Sequence, residues 1–257
     1  MSTALITGAS NGIGLELARI HASKGDNLIL VARNLTKLIG LKFELESKFK
    51  ISILVLEKDL SKTNSANEVF KETTEKGIQI DYLINNAGFG DFGMFADSDL
   101  DKQLQMINLN IIALTSLTRL YLTEMIKRRS GKIMNVASTA AFQPGPTMAV
   151  YYATKAYVLH FSEAIANELQ GSGVTVTALC PGATESGFQA AANMYESKLV
   201  KGKKLPSSKE VALYGYKSMM NNKTVAIHGF MNYLLANSVR FAPRSVIVKV
   251  TRAIQNK

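Results

Sequence analysis

The chain has 257 residues, 47% hydrophobic and 19% charged, which is the composition of an ordinary globular protein. A single cysteine, Cys180, excludes an internal disulfide framework, and no apolar run approaches the roughly 18 residues that a membrane-spanning helix needs. The first residues carry neither a basic segment nor a cleavage site typical of a secretory signal peptide. These features predict a cytoplasmic protein with one large domain over residues 1–257.

The net charge of +10 is distributed unevenly along the chain. Residues 197–257 hold 12 Lys or Arg residues and one acid, Glu210, whereas residues 1–196 hold 18 basic and 19 acidic residues. A basic block of this kind can bind nucleic acid, an anionic membrane or an acidic partner, or it can form a solvated surface. Because no nucleic-acid-binding module and no interleaved aromatic residues accompany it, nucleic acid is not expected as a partner.

Seven short apolar segments are predicted strands, and several are apolar throughout, as strands buried on both faces are. In chain order they are Ala4–Thr7, Asn27–Ala32, Ile51–Glu57, Ile80–Asn85, Gly131–Ser138, Val174–Cys180 and Thr224–His228. The segments between them are mostly long enough for crossover helices. This alternation predicts an α/β fold in which a doubly wound parallel sheet carries helices on both faces.

The first strand runs directly into a glycine-rich segment, Thr7–Gly14, which is followed by a helical pattern over Leu15–Lys24. Gly8 permits a tight turn, Gly12 lets the backbone approach a pyrophosphate, and Gly14 lets the helix pack closely on the sheet. The helix N-terminus offers free N–H groups and a partial positive charge to an anion. Between a strand and a helix, these glycines predict a dinucleotide-binding loop, although ordinary turns also contain glycines.

The end of the second predicted strand indicates which dinucleotide binds. NAD sites usually carry an acid here that binds the ribose 2′-OH, but the segment Val31–Asn34 contains none. Arg33 can instead hold a 2′-phosphate through a forked, charge-assisted contact. An ordinary surface arginine at the start of a helix would look the same in the sequence. We therefore expect NADP(H) as the cofactor on the strength of one residue.

Tyr151 and Lys155 open another helical segment, and their spacing places both on one face of a helix. A nearby ammonium favours the phenolate and lowers the pKa of a tyrosine, which can then exchange a proton with a carbonyl or alcohol. Tyr152 points about 100° further round the helix and is not expected to take part. Ser138 ends the fifth predicted strand, where its hydroxyl can hydrogen-bond a substrate oxygen. The Tyr/Lys pair alone is a weak indication, because such pairs also occur on solvated helix faces.

Five motifs occur in one order: Thr7–Gly14, Asn85-Asn86-Ala87-Gly88, Ser138, the Tyr151/Lys155 pair and Pro181-Gly182. In these motifs the chain resembles the classical short-chain dehydrogenase/reductase (SDR) family over about residues 3–230. The resemblance implies a Rossmann fold of about seven strands and hydride transfer between nicotinamide and a carbonyl or alcohol. It also implies a homo-oligomer, a dimer or a tetramer, by analogy with the family. Ser138, Tyr151 and Lys155 match its catalytic serine, tyrosine and lysine.

The family's fourth catalytic residue is an asparagine that belongs to a proton relay, and two candidates lie on the predicted central helix. The family pattern places a small residue three positions later and a threonine eight positions later. Asn110 matches this pattern with Ala113 and Thr118, whereas Asn108 does not. Asn110 is therefore the predicted member of the relay.

The resemblance also extends to the contacts of the cofactor. An Ala-Arg pair such as Ala32-Arg33 is common in NADP-preferring members, whereas the other basic residue of such members is replaced here by Asn11. Asn11 can instead bond phosphate or ribose through its amide, and Lys155 also bonds the nicotinamide ribose in this family. The expected cofactor-binding residues are Gly8, Ser10, Asn11, Gly12, Ile13, Gly14, Arg33, Asp59, Leu60, Asn86, Ala87, Gly88, Tyr151, Lys155, Pro181, Gly182 and Thr184.

The irregular segment over residues 183–206 is predicted to form a mobile insertion over the site. Together with apolar residues elsewhere it can wall a pocket that suits a hydrophobic ketone, a steroid-like ring or an acyl chain better than a sugar. The candidate wall residues are Phe89, Phe92, Phe95, Phe142, Met148, Phe188, Met194, Tyr195 and Leu199. The three histidines share no metal-ligand spacing, so no metal is expected.

A capping box at Ser207–Glu210 predicts a helix start, and residues 230–257 are predicted to form a basic helical tail broken near Pro243. The tail can make weak contact with an anionic membrane surface, dock on a partner subunit or pack on its own chain. Two other functions therefore stay open beside the reductase. One is a non-catalytic NADP(H)-binding sensor or scaffold, and the other is a membrane-surface reductase of lipid-like substrates.

Overall fold

The computed structural model describes residues 1–188, 192, 202 and 205–255. One parallel sheet contains seven strands in the order β3-β2-β1-β4-β5-β6-β7. Their bounds are Thr3–Thr7 (β1), Asn27–Ala32 (β2), Ile53–Glu57 (β3), Tyr82–Asn85 (β4), Gly131–Val136 (β5), Val174–Cys180 (β6) and Val225–Ile227 (β7). The predicted doubly wound Rossmann sheet is thus confirmed, and each strand lies within about two residues of its predicted bounds.

Helices flank the sheet. Their bounds are Gly12–Ser23 (α1), Leu35–Lys48 (α2), Ser65–Glu75 (α3), Leu100–Ile107 (α4), Leu114–Lys127 (α5), Ala149–Glu168 (α6), Ser208–Met220 (α7), Phe230–Ser238 (α8) and Arg244–Gln255 (α9). A π-helical turn over Asn108–Ala113 joins α4 to α5. The capping box predicted at Ser207 and Glu210 is confirmed at the start of α7. Among the described helices, none is long and apolar enough to cross a bilayer.

The sheet has a core on each face, because successive side chains of a strand point to opposite sides. Ala4 and Ile6 of β1 pack into one apolar cluster with residues of α1, α2 and α7, whereas Leu5 packs into the other. The second cluster includes Val69 of α3 and Leu117 of α5. This burial on both faces explains why the strands are apolar throughout in the sequence.

The site is positioned by the reversal of strand order at the centre of the sheet. From β1 the order runs to β2 and β3 on one side and to β4, β5, β6 and β7 on the other. Because all strands are parallel, the segments that follow them meet at one edge, where this type of sheet binds its ligands. The single domain over residues 1–257 and the insertion over 183–206 stay predictions. Much of that insertion lies outside the described residues.

Candidate active site

The glycine-rich segment after β1 packs directly against the segment that follows β4. Gly8 and Gly12 have φ angles of +68° and +57°, in the left-handed region that glycine tolerates best. A Cβ atom on Gly8 would lie 2.7 Å from the side-chain nitrogen of Asn86, and one on Gly14 would overlap the same amide and the carbonyl oxygen of Gly8. The chain therefore has no room for a side chain at positions 8 and 14, in line with the predicted role of these glycines.

Asn86 holds this loop in place. Its Nδ2 atom donates to the carbonyl oxygens of Thr7 at 2.8 Å and of Gly8 at 3.3 Å. The backbone N–H groups of Asn86 and Ala87 both donate to the hydroxyl oxygen of Thr7 at 3.0 Å. Asn86 and Ala87, which are predicted cofactor-binding residues, thus also shape the glycine loop.

A second polar network, which sequence reasoning missed, lies beneath the site. Nδ2 of Asn85 on β4 donates to Oδ1 of Asn135 on β5 at 2.9 Å and to Oγ1 of Thr118 on α5 at 3.0 Å. Nδ2 of Asn135 donates in turn to the hydroxyl oxygen of Ser162 on α6 at 2.9 Å. These bonds show that Asn85 and Asn135, besides Asn86, brace the centre of the sheet. The signal in the sequence was one asparagine at the end of β4 and another next to the end of β5.

Asn11, expected to contact phosphate or ribose, binds its own chain in this structure. Its Oδ1 atom accepts a hydrogen bond from the backbone N–H of Gly12 at 2.8 Å, which caps the start of α1. Its Nδ2 atom lies against Gly187, where an added Cβ would overlap it. Ser10 is half-buried in the loop, and Ile13 packs against the core on the α1 side of the sheet.

Arg33 and Asp59 lie near one another beyond the carboxyl ends of β2 and β3. Partial burial raises the pKa of Asp59, but hydrogen bonds from Ser61 and the charges of Arg33 and Lys62 lower it overall. The carboxylate accepts bonds from the hydroxyl of Ser61 at 2.7 Å and from its N–H at 3.0 Å. Leu60, which lies between Asp59 and Ser61 in the sequence, is buried. The exposed guanidinium of Arg33 therefore stands at one end of the sheet edge, where an adenosine 2′-phosphate was expected.

Ser138, Tyr151 and Lys155 converge where the end of β5 faces α6, and each is at most 9% exposed. The side chain of Ser138 lies beside the Tyr151 phenol, and its hydroxyl donates to the carbonyl oxygen of Pro181 at 3.4 Å and accepts from the N–H of Ala140 at 3.1 Å. Nζ of Lys155 lies 5.9 Å from the centre of the Tyr151 ring and donates to the carbonyl oxygen of Val136 at 2.7 Å. The structure thus brings together the three side chains that the sequence identified.

Burial governs the pKa values of this pair. It raises the pKa of the Tyr151 phenol, and the hydrogen bond from Ser138 offsets only part of that rise. It also lowers the pKa of Lys155 to about 8, because a buried ammonium loses its hydration. The predicted lowering of the Tyr151 pKa by Lys155 is therefore wrong for this structure. Desolvation by burial is the largest influence on the pKa of the phenol, and Nζ of Lys155 donates to the Val136 carbonyl.

Asn110 lies in the π-helical turn, is 1% exposed and faces the site. Its amide accepts from the N–H of Phe89 at 3.2 Å and donates to the carbonyl oxygen of Phe89 and to Oγ1 of Thr154, each at 3.0 Å. A Cβ on Gly88 would lie 3.0 Å from Oδ1 of Asn110 and 3.5 Å from Nζ of Lys155. Gly88 therefore lies in the narrow space between the side chains of Asn110 and Lys155.

The segment after β6 completes the edge of the cleft. The N–H of Thr139 donates to the carbonyl oxygen of Pro181 at 2.9 Å, which keeps Pro181 beside Ser138. Gly182 packs so closely on α8 that an added Cβ would lie 2.6 Å from Nδ2 of Asn232. The hydroxyl of Thr184 donates to the carbonyl oxygen of Gly182 at 3.0 Å. Of the three residues predicted here, Pro181 thus lies next to Ser138, and Gly182 and Thr184 follow it along the chain.

The start of the predicted insertion closes over the site. The ring of Phe188 lies 5.3 Å from that of Tyr151, and Gly90 fits between Phe188 and Tyr151. An added Cβ on Gly90 would be 2.8 Å from Phe188 and 3.2 Å from Tyr151. At Gly12, an added Cβ would be 3.2 Å from Ser186. One short segment thus packs against both the glycine loop and Tyr151.

The predicted apolar wall is present in part. Four of its members pack in one cluster with Tyr151, namely Phe89, Phe92, Met148 and Phe188. Phe95 is instead 61% exposed, and Phe142 packs into a cluster with α8 and the end of β6, so neither belongs to this wall. Three further candidates lie outside the described residues, namely Met194, Tyr195 and Leu199. In the described part of the chain, no group of three or more His, Cys, Asp or Glu residues could hold a metal ion.

Comparison with known proteins shows the family of the chain. The profile of the family described as short chain dehydrogenase matches residues 2–196. The chain belongs to the short-chain dehydrogenase family. This short-chain dehydrogenase is 37% identical over 177 residues to the very-long-chain 3-oxoacyl-CoA reductase of Phaeosphaeria nodorum, a match that covers 67% of this chain and 52% of that protein. It spans between half and two thirds of the curated relatives that it matches first, at 60%, 52% and 52% of their lengths.

Solved structures of similar fold include complexes with either dinucleotide. A short-chain dehydrogenase of Sphingobium yanoikuyae in complex with NADPH has a TM-score of 0.83 at 29% identity and 94% coverage of both chains. The bulky-bulky ketone specific alcohol dehydrogenase of Comamonas testosteroni has a TM-score of 0.80 at 30% identity, covering 94% of this chain and 92% of that one. A Burkholderia phymatum SDR in complex with NAD has a TM-score of 0.82 at 19% identity, with coverage of 100% and 97%.

Proposed function

We propose that this short-chain dehydrogenase is an NADP(H)-dependent oxidoreductase that transfers hydride between nicotinamide and a carbonyl or secondary alcohol. One observation carries the proposal: a buried tyrosine, Tyr151, that lies beside Ser138 and is flanked by Lys155 on the same helix face. These three groups lie at the sheet edge that also carries the glycine loop. This combination supports proton transfer next to a bound dinucleotide.

The residues of the cleft fit a dinucleotide. Gly8 and Gly12 adopt positive φ angles, and the start of α1 presents N–H groups toward the same loop, so an anion can approach the backbone. We propose that the loop over Gly8–Gly14 holds the pyrophosphate. Arg33, Asp59 and Leu60 would then hold the adenosine end. When the dinucleotide is bound, its nicotinamide supplies or accepts the hydride.

The remaining contacts follow from the positions of the other segments along the edge. Asn86, Ala87 and Gly88 adjoin the glycine loop, and Gly88 also adjoins Lys155. Pro181 adjoins Ser138, and Gly182 and Thr184 follow Pro181 along the chain. We propose that the first group contacts the ribose and that the second lines the nicotinamide end. Lys155 would bond the nicotinamide ribose once it leaves the Val136 carbonyl.

The proton chemistry rests on the protonation states of Tyr151 and Lys155. Because burial raises the pKa of Tyr151, the phenol keeps its proton at neutral pH and can donate it to a carbonyl oxygen during reduction. Ser138 would hydrogen-bond the same oxygen. Lys155, whose pKa is lowered to about 8, can return a proton to the phenolate afterwards. We propose Asn110, across Gly88 from Lys155, as the relay position toward solvent.

The apolar cluster around Tyr151 supports a hydrophobic substrate. Phe89, Phe92, Met148 and Phe188 offer aromatic and aliphatic surface beside the proton donor. Two similar proteins are named for a very-long-chain 3-oxoacyl-CoA and for bulky ketones. We therefore propose a hydrophobic ketone, a steroid-like ring or an acyl chain as the substrate class, in preference to a sugar.

The decisive experiment compares Tyr151→Phe with Tyr152→Phe in NADPH oxidation with a panel of apolar ketones. Tyr152 is a matched control, since it is the adjacent phenol and its hydroxyl accepts a hydrogen bond from Gln255, away from Ser138 and Lys155. Loss of a positioned proton donor lowers kcat by about 10²–10⁴-fold, so Tyr151→Phe should be nearly inactive while Tyr152→Phe retains most activity. Equal rates in both variants would refute the acid role. NADPH binding without turnover of any ketone would instead favour the sensor or scaffold.

The cofactor preference is tested separately through Arg33. Arg33→Ala should weaken NADPH binding by about tenfold or more, because it removes a charge-assisted contact to the 2′-phosphate, and it should leave NADH binding nearly unchanged. Titration of both cofactors by fluorescence measures the difference. Similar losses for NADPH and NADH would contradict the proposed preference.

We also propose that the chain is a cytoplasmic homo-oligomer, as the family resemblance implies. Exposed apolar side chains at Ile112, Ile126 and Tyr157, on or beside α5 and α6, give this surface the character of a subunit contact. Light scattering of the purified chain should give a mass that is a multiple of 28.0 kDa. A monomer at all concentrations would contradict this.

A further inference from the structure

The outer face of α8 is apolar and uncovered in the described structure. Asn232 and Ala236 point toward the body, where Asn232 contacts Gly182 and Ala236 packs in a buried cluster. The opposite face carries four large apolar residues that are 45–76% exposed: Phe230, Met231, Leu234 and Leu235. A face of this kind raises the free energy of the isolated chain unless something covers it.

The second helix of the tail has the same two-sided character. Its inner face reaches the body through Gln255, whose side chain donates to the hydroxyl of Tyr152 and lies 3.4 Å from the hydroxyl oxygen of Thr147. Its outer face carries three aliphatic residues that are each about half exposed: Val246, Val250 and Ile254. Between the two helices, Phe241 is 89% exposed. The tail is therefore anchored on one side and apolar on the other.

Cations accompany these apolar faces. Arg240, Arg244, Lys249 and Arg252 lie in or beside α9, and no acid occurs in residues 211–257. Among the carboxylates of the described residues, none lies within 4.0 Å of these four cations. The tail thus presents positive charge that the described body does not neutralise.

We propose that α8, the turn Val239–Phe241 and α9 form a docking surface for an anionic lipid bilayer. Aliphatic and aromatic side chains next to Lys and Arg are what a helix needs to lie in the interface of such a membrane. Because no described helix is long enough to cross a bilayer, the tail lies on the membrane and does not span it.

The positive charge of the docking surface favours a bilayer over a second copy of the chain as the partner that covers it. A twofold contact through this surface would place the same four cations against each other, which is unfavourable without intervening anions. An anionic bilayer instead supplies both the negative charge and the apolar phase that the surface lacks. An acidic protein would supply the charge but would have to match eight exposed apolar side chains.

A groove beside the docking surface agrees with this assignment. It has a volume of about 550 Å³, lies between α6 and the tail, and is walled mainly by small and apolar residues. Arg240 and Arg244 line it together with Val239 and Ile247. An acyl chain whose acidic headgroup binds the two arginines has the chemistry that such a groove accommodates. Since α8 also contacts Gly182, docking would hold the active-site edge close to the membrane.

The test is sedimentation of the full chain with vesicles. Vesicles of phosphatidylcholine alone are compared with vesicles that contain about 30 mol % phosphatidylglycerol, at low and at high salt, because salt screens exposed charges. The chain should pellet with the anionic vesicles at low salt, less at high salt and little with phosphatidylcholine alone. Equal pelleting with both vesicle types, or with neither, would overturn the proposal.

Matched variants locate the surface. Arg240→Ala/Arg244→Ala should weaken binding about 25-fold, at about fivefold per cation, whereas Lys48→Ala/Lys71→Ala removes the same charge from exposed positions on the body and should not. Phe241→Ser should weaken binding about tenfold, and Phe43→Ser, at a residue that is 68% exposed on α2, should have no effect. Equal effects of test and control variants would contradict the assigned surface.

Two further readouts separate this proposal from its alternatives. Light scattering without vesicles should give one mass for wild type and Phe241→Ser, and a mass that falls in the variant would show that a second copy covers the surface. Turnover of a water-soluble ketone should be the same in all tail variants. If the chain binds anionic vesicles but turns over no ketone, the proposed function fails while the docking surface stands.

Discussion

The proposed active-site cleft and the C-terminal tail differ in the kinds of side chain that they bury and expose. In the cleft, Asn85, Asn110 and Asn135 are at most 3% exposed and bond to neighbouring elements. In the tail, large apolar residues such as Phe230 and Phe241 are more than three quarters exposed. Buried polar groups hold one geometry because losing a partner costs about 1–3 kcal/mol. Exposed apolar groups contribute no such constraint to the fold.

This difference indicates that the cleft and the tail have different roles within one chain. In the cleft, the surrounding hydrogen bonds hold Ser138, Tyr151 and Lys155 close to one another. The tail contacts the body through few polar groups, chiefly Gln255 and Asn232, and leaves its apolar side outward. We therefore expect substitutions in the cleft to have large effects on NADPH affinity and on the free energy of unfolding. Substitutions in the tail should have small effects on both.

The largest effect is expected at Gly14. In Gly14→Ala the new Cβ would overlap the backbone carbonyl of Gly8, which no side-chain rotation relieves, so NADPH affinity should fall by about 100-fold or more. Gly40→Ala is the matched control, because a Cβ there has nothing within 4 Å and alanine favours a helix. Fluorescence titration measures affinity. Unchanged binding by Gly14→Ala would contradict the assigned cradle.

The next largest effect concerns the polar network beneath the site. Asn135→Ala removes the bonds to Asn85 and Ser162 and leaves both partners buried, so the free energy of unfolding should fall by about 3 kcal/mol. Asn67→Ala removes one exposed hydrogen bond to Asn64 and should change the free energy of unfolding by about 0.5 kcal/mol or less. Urea unfolding gives both values, and equal effects would show that the network adds nothing to the sheet.

Lys155 should make stability depend on pH in a defined direction. Its pKa is lowered from the ordinary value of 10.5 to about 8, so the folded chain binds fewer protons than the unfolded chain between these pH values. The group therefore makes folding more favourable as pH rises from about 8 to about 10.5. The free energy of unfolding of wild type relative to Lys155→Met should rise by about 2 kcal/mol between pH 7 and pH 10. A constant difference would mean that Lys155 titrates normally.

The smallest effect is expected where the tail meets the body. Gln255→Ala removes the bond to the hydroxyl of Tyr152, and the free energy of unfolding should fall by about 1 kcal/mol. Tyr152→Phe removes the same bond from the other side, so the double variant should lose little more than either single variant. A loss of several kcal/mol for Gln255→Ala would place the tail in the core of the fold.

Much of the fold could be predicted because its signals are local. An apolar run such as Val174–Cys180 can only be a buried strand or a short buried helix, and seven such runs with long connections leave few arrangements. The glycine loop and the Tyr151/Lys155 pair depend on spacing within one turn or one helix. The network of Asn85 and Asn135 could not be predicted, because its members are up to 77 positions apart, from Asn85 to Ser162.

By itself the sequence determined the strands, the loop after the first strand, the side chains available for proton transfer and the concentration of positive charge in the tail. Only the tertiary structure decided that burial raises the pKa of Tyr151, that Phe142 packs away from the site and that Phe188 packs against the Tyr151 ring. The reason is physical. Residue type and spacing are properties of the chain, whereas desolvation and contact depend on which distant segments fold against a given side chain.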